Sequence, residues 1–185
     1  VFVDGLEHNK IVFVNGRIEK IDFNYEKKDQ IEIIDQSENI NKFNNNNSLS
    51  DLNNAFTNKF FKIVIKKGYQ LLKPLIIYHT TNSKIWSKNI NLRLDFELQK
   101  DSSLRLIDLF NDTSEKNFLN IFYNFELSEN AILKNYKVDK VENKNVKYSY
   151  NNIDQNKNTS SETFILSSGS NFFKSEINCN LNGEH

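Results

Sequence analysis

Residues 90–98, INLRLDFEL, alternate without a break: Ile90, Leu92, Leu94, Phe96 and Leu98 against Asn91, Arg93, Asp95 and Glu97. A period of two with one apolar face predicts a half-buried β-strand. Residues 119–127 repeat the design, with Leu119, Ile121, Tyr123, Phe125 and Leu127 on one face and Asn120, Asn124 and Glu126 on the other. The two FEL triplets begin at Phe96 and Phe125, 29 residues apart, and each runs into a polar turn and a second apolar stretch, QKDSSLRLI and SENAILKNY. A third copy, EINCNLNG, sets Ile177, Cys179 and Leu181 against Asn178, Asn180 and Asn182; Leu181 falls 54 residues past Leu127, two periods of about 27. A unit with one apolar face that recurs at fixed spacing buries that face by stacking on its neighbours. The expected fold is therefore all-β, a right-handed parallel β-helix. A sandwich would instead show turn signals every 8–12 residues, roughly, and no self-similarity.

The remaining chain divides at residue 60. Residues 1–59 predict a hairpin, a polar loop and a short helix; residues 60–185 predict the β-helix. Asn15-Gly16 between the apolar runs 11–14 and 18–23 favours a tight hairpin, because both residues accept positive φ. Residues 31–34 predict another short strand. Residues 39–50, with four consecutive asparagines at 44–47, read as a loop or local disorder. Ser50 reads as an N-cap before Asp51, with Leu52, Ala55 and Phe56 at helical spacing. From Phe60 the period returns to two, with a turn at Lys67-Gly68 and a strand over 71–78. Pro74, the single proline, belongs at a strand start, an edge or a bulge. Val146, Tyr148 and Tyr150 share a face, residues 151–161 read as a polar loop, and 164–166 and 173–181 are the last strands.

Composition narrows the functional classes. Lys and Arg total 24, as do Asp and Glu, so the net charge of +0 gives no electrostatic case for nucleic acid or an anionic membrane. One cysteine among 185 residues forms no intrachain disulfide, which points to a reducing, cytoplasmic setting. No apolar run approaches the roughly 18 residues of a membrane span. The absence of methionine, even at position 1, and a strand pattern that stops without a turn make the chain read as an internal piece of a longer protein. A solenoid cut there is expected to associate through its uncapped end.

Candidate chemistry is sparse. His8, His79 and His185 are far apart and fit no metal-ligand spacing. Cys179 and His185 form the one tempting pair, but Cys179 shares its strand face with Ile177 and Leu181 and is expected to point inward as a small hydrophobe. Asp95 with Glu97, or Glu126 with Glu129, could be imagined as acid and base; a solvated strand face explains them better. Lys66-Lys67-Gly68 lacks the frame of a phosphate loop, and Trp86 and the phenylalanines suit packing. The residues on their own assign no catalytic, cofactor-binding or metal site. A carbohydrate-active or adhesin-type β-helix stays open as an alternative; it would need a secretion signal and an acidic or aromatic cleft.

Several segments, taken in order, resemble a known family. IVFVNGRI at 11–18, LNNAF at 52–56, IVIKKGYQLLKPLII at 63–77, FELSENAILKNYKV at 125–138 and SGSNFFKSEINCNLNGEH at 168–185 are similar to the SufB/SufD family of the SUF iron-sulfur cluster assembly system, and to its SufD branch more than to SufB. Lys59-Phe60 and Lys66 depart from the turn residues usual in that family. The resemblance implies a β-helical, non-catalytic scaffold subunit that pairs with a SufB-like subunit and a SufC-like ATPase. It further implies that iron or an iron-sulfur cluster belongs to the full complex, and that the family's functional Cys and His lie beyond His185.

Overall fold

The computed structural model describes residues 3–36, 48–57, 60–82, 88–112, 116–140 and 144–183. Its strands are β1 (Asn9–Val14), β2 (Arg17–Asp22), β3 (Ile31–Asp35), β4 (Phe60–Ile65), β5 (Leu75–Thr81), β6 (Asn89–Leu98), β7 (Ser103–Asp112), β8 (Phe118–Leu127), β9 (Ile132–Lys140), β10 (Val146–Gln155), β11 (Ser160–Ser168) and β12 (Phe172–Leu181). The single helix among the described residues is α1 (Ser48–Phe56).

From β4 onward the chain alternates between two sheets. Sheet A runs β11-β9-β7-β5-β1-β2 and sheet B runs β12-β10-β8-β6-β4-β3. All neighbours pair parallel except the two hairpin-like additions, β1 with β2 and β3 with β4. The result is a β-solenoid of about four turns. Phe96 pairs with Phe125, and Leu127 pairs with Gln155, which pairs with Leu181. The repeat of the FEL segments is thus the rung spacing of the solenoid.

The inward faces of both sheets share one apolar core containing Ile63, Leu94, Phe96, Leu106, Tyr123, Phe125 and Ile153. Phe96 stacks on Phe125 with centroids 4.9 Å apart. On one side of the solenoid the turns stack as well. Gly68, Asp101, Asn130 and Asn158 all adopt positive φ, and the Gly68, Asp101 and Asn130 amides donate to the carbonyls of Lys100, Glu129 and Lys157. Gly and Asn tolerate this conformation, and Asp does so among the polar residues. A polar four-residue turn after each FEL-type strand is what lets the coils stay in register.

The Asn15-Gly16 hairpin forms as expected, with φ of 52° and 78°. Pro74 lies just before β5, and its carbonyl accepts the amide of Asn9. Glu26, a residue the sequence did not single out, fixes this corner: its carboxylate accepts bonds from Asn9, Tyr69 and the backbone amides of Leu72 and Lys73.

Four expectations need correction. The strand expected over 71–78 begins only at Leu75, because the 71–74 stretch is spent on the turn that Glu26 holds. The helix starts at Ser48, so Ser50 is a buried residue inside it and no N-cap; residues 39–47 of the expected loop lie outside the described residues. The polar loop expected at 151–161 shrinks to residues 156–159, since Asn151 and Asn152 belong to β10 and Ser160 opens β11. Asn152 satisfies itself by laddering, donating to Asn124 and accepting from Asn178 at 2.9 and 2.8 Å. Finally, Cys179 does continue the inward column Phe96, Phe125, Ile153, yet it is exposed, because among the described residues no strand pairs beyond β12.

Candidate functional site

Sheet B carries a second buried layer on its outer face. Helix α1 lies across β6 and β8, and the Asn53 side chain donates to the carbonyls of Leu92 and Asn120 at 3.2 and 2.8 Å. Under this cover Phe122, Tyr148 and Tyr150 cluster with Leu49. Arg93 is 1% exposed, sits over the Phe60 ring at 4.7 Å, and makes a forked contact with Asp95 at 3.1 and 3.2 Å. Asp95 is therefore no part of a solvated face: burial raises its pKa in spite of the Arg93 guanidinium. Glu97 and Glu126 share Lys62, while Glu129 pairs with Lys100, so the carboxylates imagined as catalytic pairs serve separate cations.

The concentration of ionisable groups that the sequence hid lies inside the solenoid. Asp108 of β7, Lys137 and Asp139 of β9, and Lys147 and Ser149 of β10 occupy inward positions, and all are buried. His79 of β5 is 5% exposed, stacked on Phe110 at 4.2 Å and on Phe13 at 5.5 Å. The Tyr123 hydroxyl donates to Asp108 Oδ1 at 2.8 Å, and His79 Nε2 lies 2.8 Å from that hydroxyl and 3.2 Å from the same carboxylate oxygen. Because the hydroxyl proton is committed to Asp108, His79 Nε2 carries a proton and donates. Lys137 Nζ lies 3.7 Å from Asp108 Oδ2, donates to Ser149 Oγ at 3.2 Å and covers the Tyr123 ring at 4.2 Å. Lys147 donates to Asp139 at 2.9 Å.

The protonation states follow from burial and partners. Burial alone would raise the Asp108 carboxyl, but the His79 bond, the Lys137 charge and the Tyr123 hydroxyl outweigh it and hold the pKa below 3.8. Burial lowers His79 against the pull of Asp108, so the imidazole is neutral. Burial likewise brings Lys137 down from 10.5 to about 8. Burial and the Asp108 charge push Tyr123 well above its ordinary value. The lumen thus holds two ion pairs, Asp108 with Lys137 and Asp139 with Lys147, and a neutral His-Tyr bridge. Such groups can bind, orient or relay protons.

Of the residues weighed from the sequence, His79 alone enters this cluster. His8 contacts Leu6 and Tyr78 at the surface; Cys179 stands on β12. Trp86 and His185 lie outside the described residues. The described residues bring no three of His, Cys, Asp and Glu together in a metal-holding group. A signal for the cluster was present: Lys137 follows Asp108 by 29 residues, the offset of the FEL triplets, and the two pair in the sheet.

The fold and site define a two-sheet parallel β-solenoid whose lumen changes from apolar to charged along its length. Residues 79–185 match the family model described as SUF system FeS cluster assembly, SufBD core domain. The match spans the coils from β5 onward, more than half of the chain, and the protein belongs to the SufBD core-domain family. A comparison with curated proteins finds no significant match.

Proposed function

We propose that the protein is a SufD-type, non-catalytic scaffold subunit of iron-sulfur cluster assembly that pairs with a SufB-like subunit and works with a SufC-like ATPase in the cytoplasm. The observation that carries this reading is the family match over the stacked coils. The sequence resemblance from residue 11 to 185, which favours SufD over SufB, supports the finer assignment. Two features suit a scaffold. The ionisable groups of the lumen are buried and paired with one another across stacked strands. Large apolar side chains exposed on the outer faces of the last rungs, among them Phe164, Leu166 and Phe172, suit contact with another polypeptide. No helix among the described residues is long and apolar enough to cross a membrane. Iron or the cluster is the cargo of the complex in this reading, and no ligand set on this chain is assigned to it.

The test is co-purification of the protein, at its native length, with SufB and SufC homologues from the same genome. A stable complex supports the proposal. A chain that stays alone at micromolar concentration, with both homologues present and folded, overturns it.

A further inference from the structure

The lumen contains polar atoms that the ion pairs do not use. Both side-chain atoms of Asn135, both of Asn151 and the hydroxyl of Thr163 are buried without a hydrogen-bond partner. Asn135 and Asn151 are each 0% exposed. A buried amide that forgoes all its hydrogen bonds is costly, and such groups in folded proteins are normally satisfied by protein or ordered water.

These atoms share one level of the solenoid. Across the lumen, Asp139 meets Lys147 and Lys137 meets Ser149. Those contacts step backward along β9 and forward along β10, and the next inward positions in the same series are Asn135 and Asn151. Thr163 pairs beside Asn135 in sheet A, and Tyr123 pairs beside Asn151 in sheet B. Leu106, Leu133 and Ile153 bound the level with apolar side chains. On its other side stands the charged layer of Lys137, Asp108 and Ser149.

We infer that the lumen between Asn135 and Asn151 is a binding site for a small cluster of ordered water. The chemistry selects water over an ion or an organic ligand. Each amide offers a donor and an acceptor, as does a threonine hydroxyl, so the occupant both accepts and donates. The charges nearby are matched, Asp108 with Lys137 and Asp139 with Lys147, and leave no excess to hold an ion. Water here also gives Asp108 Oδ2, a further buried acceptor without a hydrogen bond, a route to satisfaction through the same layer. This inference is independent of the functional reading above, since it concerns the packing of the lumen alone.

The experiment uses the whole chain. Water-protein cross-relaxation spectra, with the Asn side-chain amides assigned, are expected to show cross-peaks from the Asn135 and Asn151 amide protons to water of long residence time. Asn135→Leu with Asn151→Leu is then expected to lower Tm by several degrees, because it removes the bonds that hold the water while keeping the branched four-atom side-chain skeleton. No long-lived water at either amide in the wild type overturns the inference, and a raised Tm in the double variant overturns it as well. Should the variant fail to fold, the wild-type spectra decide alone.

Discussion

Lys147 of β10 crosses the lumen to Asp139 of β9, Nζ to Oδ2 at 2.9 Å, with the two side chains only 5% and 3% exposed. The ammonium also lies over the Phe110 ring and, at 5.5 Å, the Phe173 ring, so it exchanges water for a carboxylate and aromatic faces. Removing one member leaves an uncompensated charge in the lumen. Lys147→Met is expected to destabilise by about 3–5 kcal/mol. Adding Asp139→Leu should recover much of that loss, because both charges are then gone. Chemical denaturation of the single and double variants measures both steps; equal stability of the single variant and wild type would show that the pair is not buried as described.

Acid should weaken the fold through His79 before most carboxylates respond. Its folded pKa lies below the ordinary 6.5, so between the two values the unfolded chain binds a proton that the folded chain refuses. Stability therefore rises with pH across that window and falls as pH drops below about 6.5, with a slope of at most about 1.4 kcal/mol per pH unit for one proton. Asp108 acts in the same direction at lower pH, its contribution being lost as pH falls through its depressed pKa. Lys137, at about 8 when folded, adds stability as pH rises from there toward 10.5. Tm measured from pH 7 to 5 should decline, and His79→Gln should flatten that segment of the curve.

Helix α1 is held to sheet B by polar contacts more than by its own length. Nine residues are too few for an isolated helix, so tertiary contacts supply its stability. Asn53 donates to two strand carbonyls, and Asn120 returns a bond to the Leu49 carbonyl at 2.8 Å. Asn53→Leu removes both bonds that tie the helix to the β6–β8 ladder. It should cost about 1–3 kcal/mol and speed proteolytic cleavage at the helix, which limited digestion reads directly.

The hairpin turn is intolerant of a side chain. At Gly16 φ is +78°, and an added Cβ would meet Ile90 Cγ2 at 2.8 Å. Gly16→Ala is expected to destabilise by about 1–3 kcal/mol through backbone strain and the clash together. Thermal melts of the purified variant check this.

The apolar solenoid was legible and its charged lumen was not, for one physical reason. INLRLDFEL keeps apolar residues on its inner face, and the period of two reports the fold. In β10, VKYSYNNIDQ, the inner face carries Lys147, Ser149 and Asn151, whereas the outer face carries Tyr148 and Tyr150, buried against Phe122. Alternation there points the wrong way, and it turned the end of a strand into an expected loop. Asp95 misled similarly, because a helix from residues 48–56 covers the face that the pattern exposes. Cys179 shows the converse: its inward position follows from register, but burial needs a neighbour on the next rung. Rung spacing carried what polarity could not, since it sets Lys137 beside Asp108 and Asn151 beside Tyr123.

Parallel, in-register stacking of the two FEL segments tests the whole scheme most directly. Glu97 and Glu126 are paired neighbours on adjacent rungs, and parallel strands run about 4.8 Å apart, within the roughly 4.4–6.8 Å that a disulfide spans. In a Cys179→Ser background, Glu97→Cys with Glu126→Cys should form an intramolecular disulfide rapidly on mild oxidation, while Glu97→Cys with Ser128→Cys or Asn124→Cys should do so far more slowly. Absence of the 97–126 crosslink, or equal trapping at 124 and 128, would contradict the solenoid register and everything placed by it.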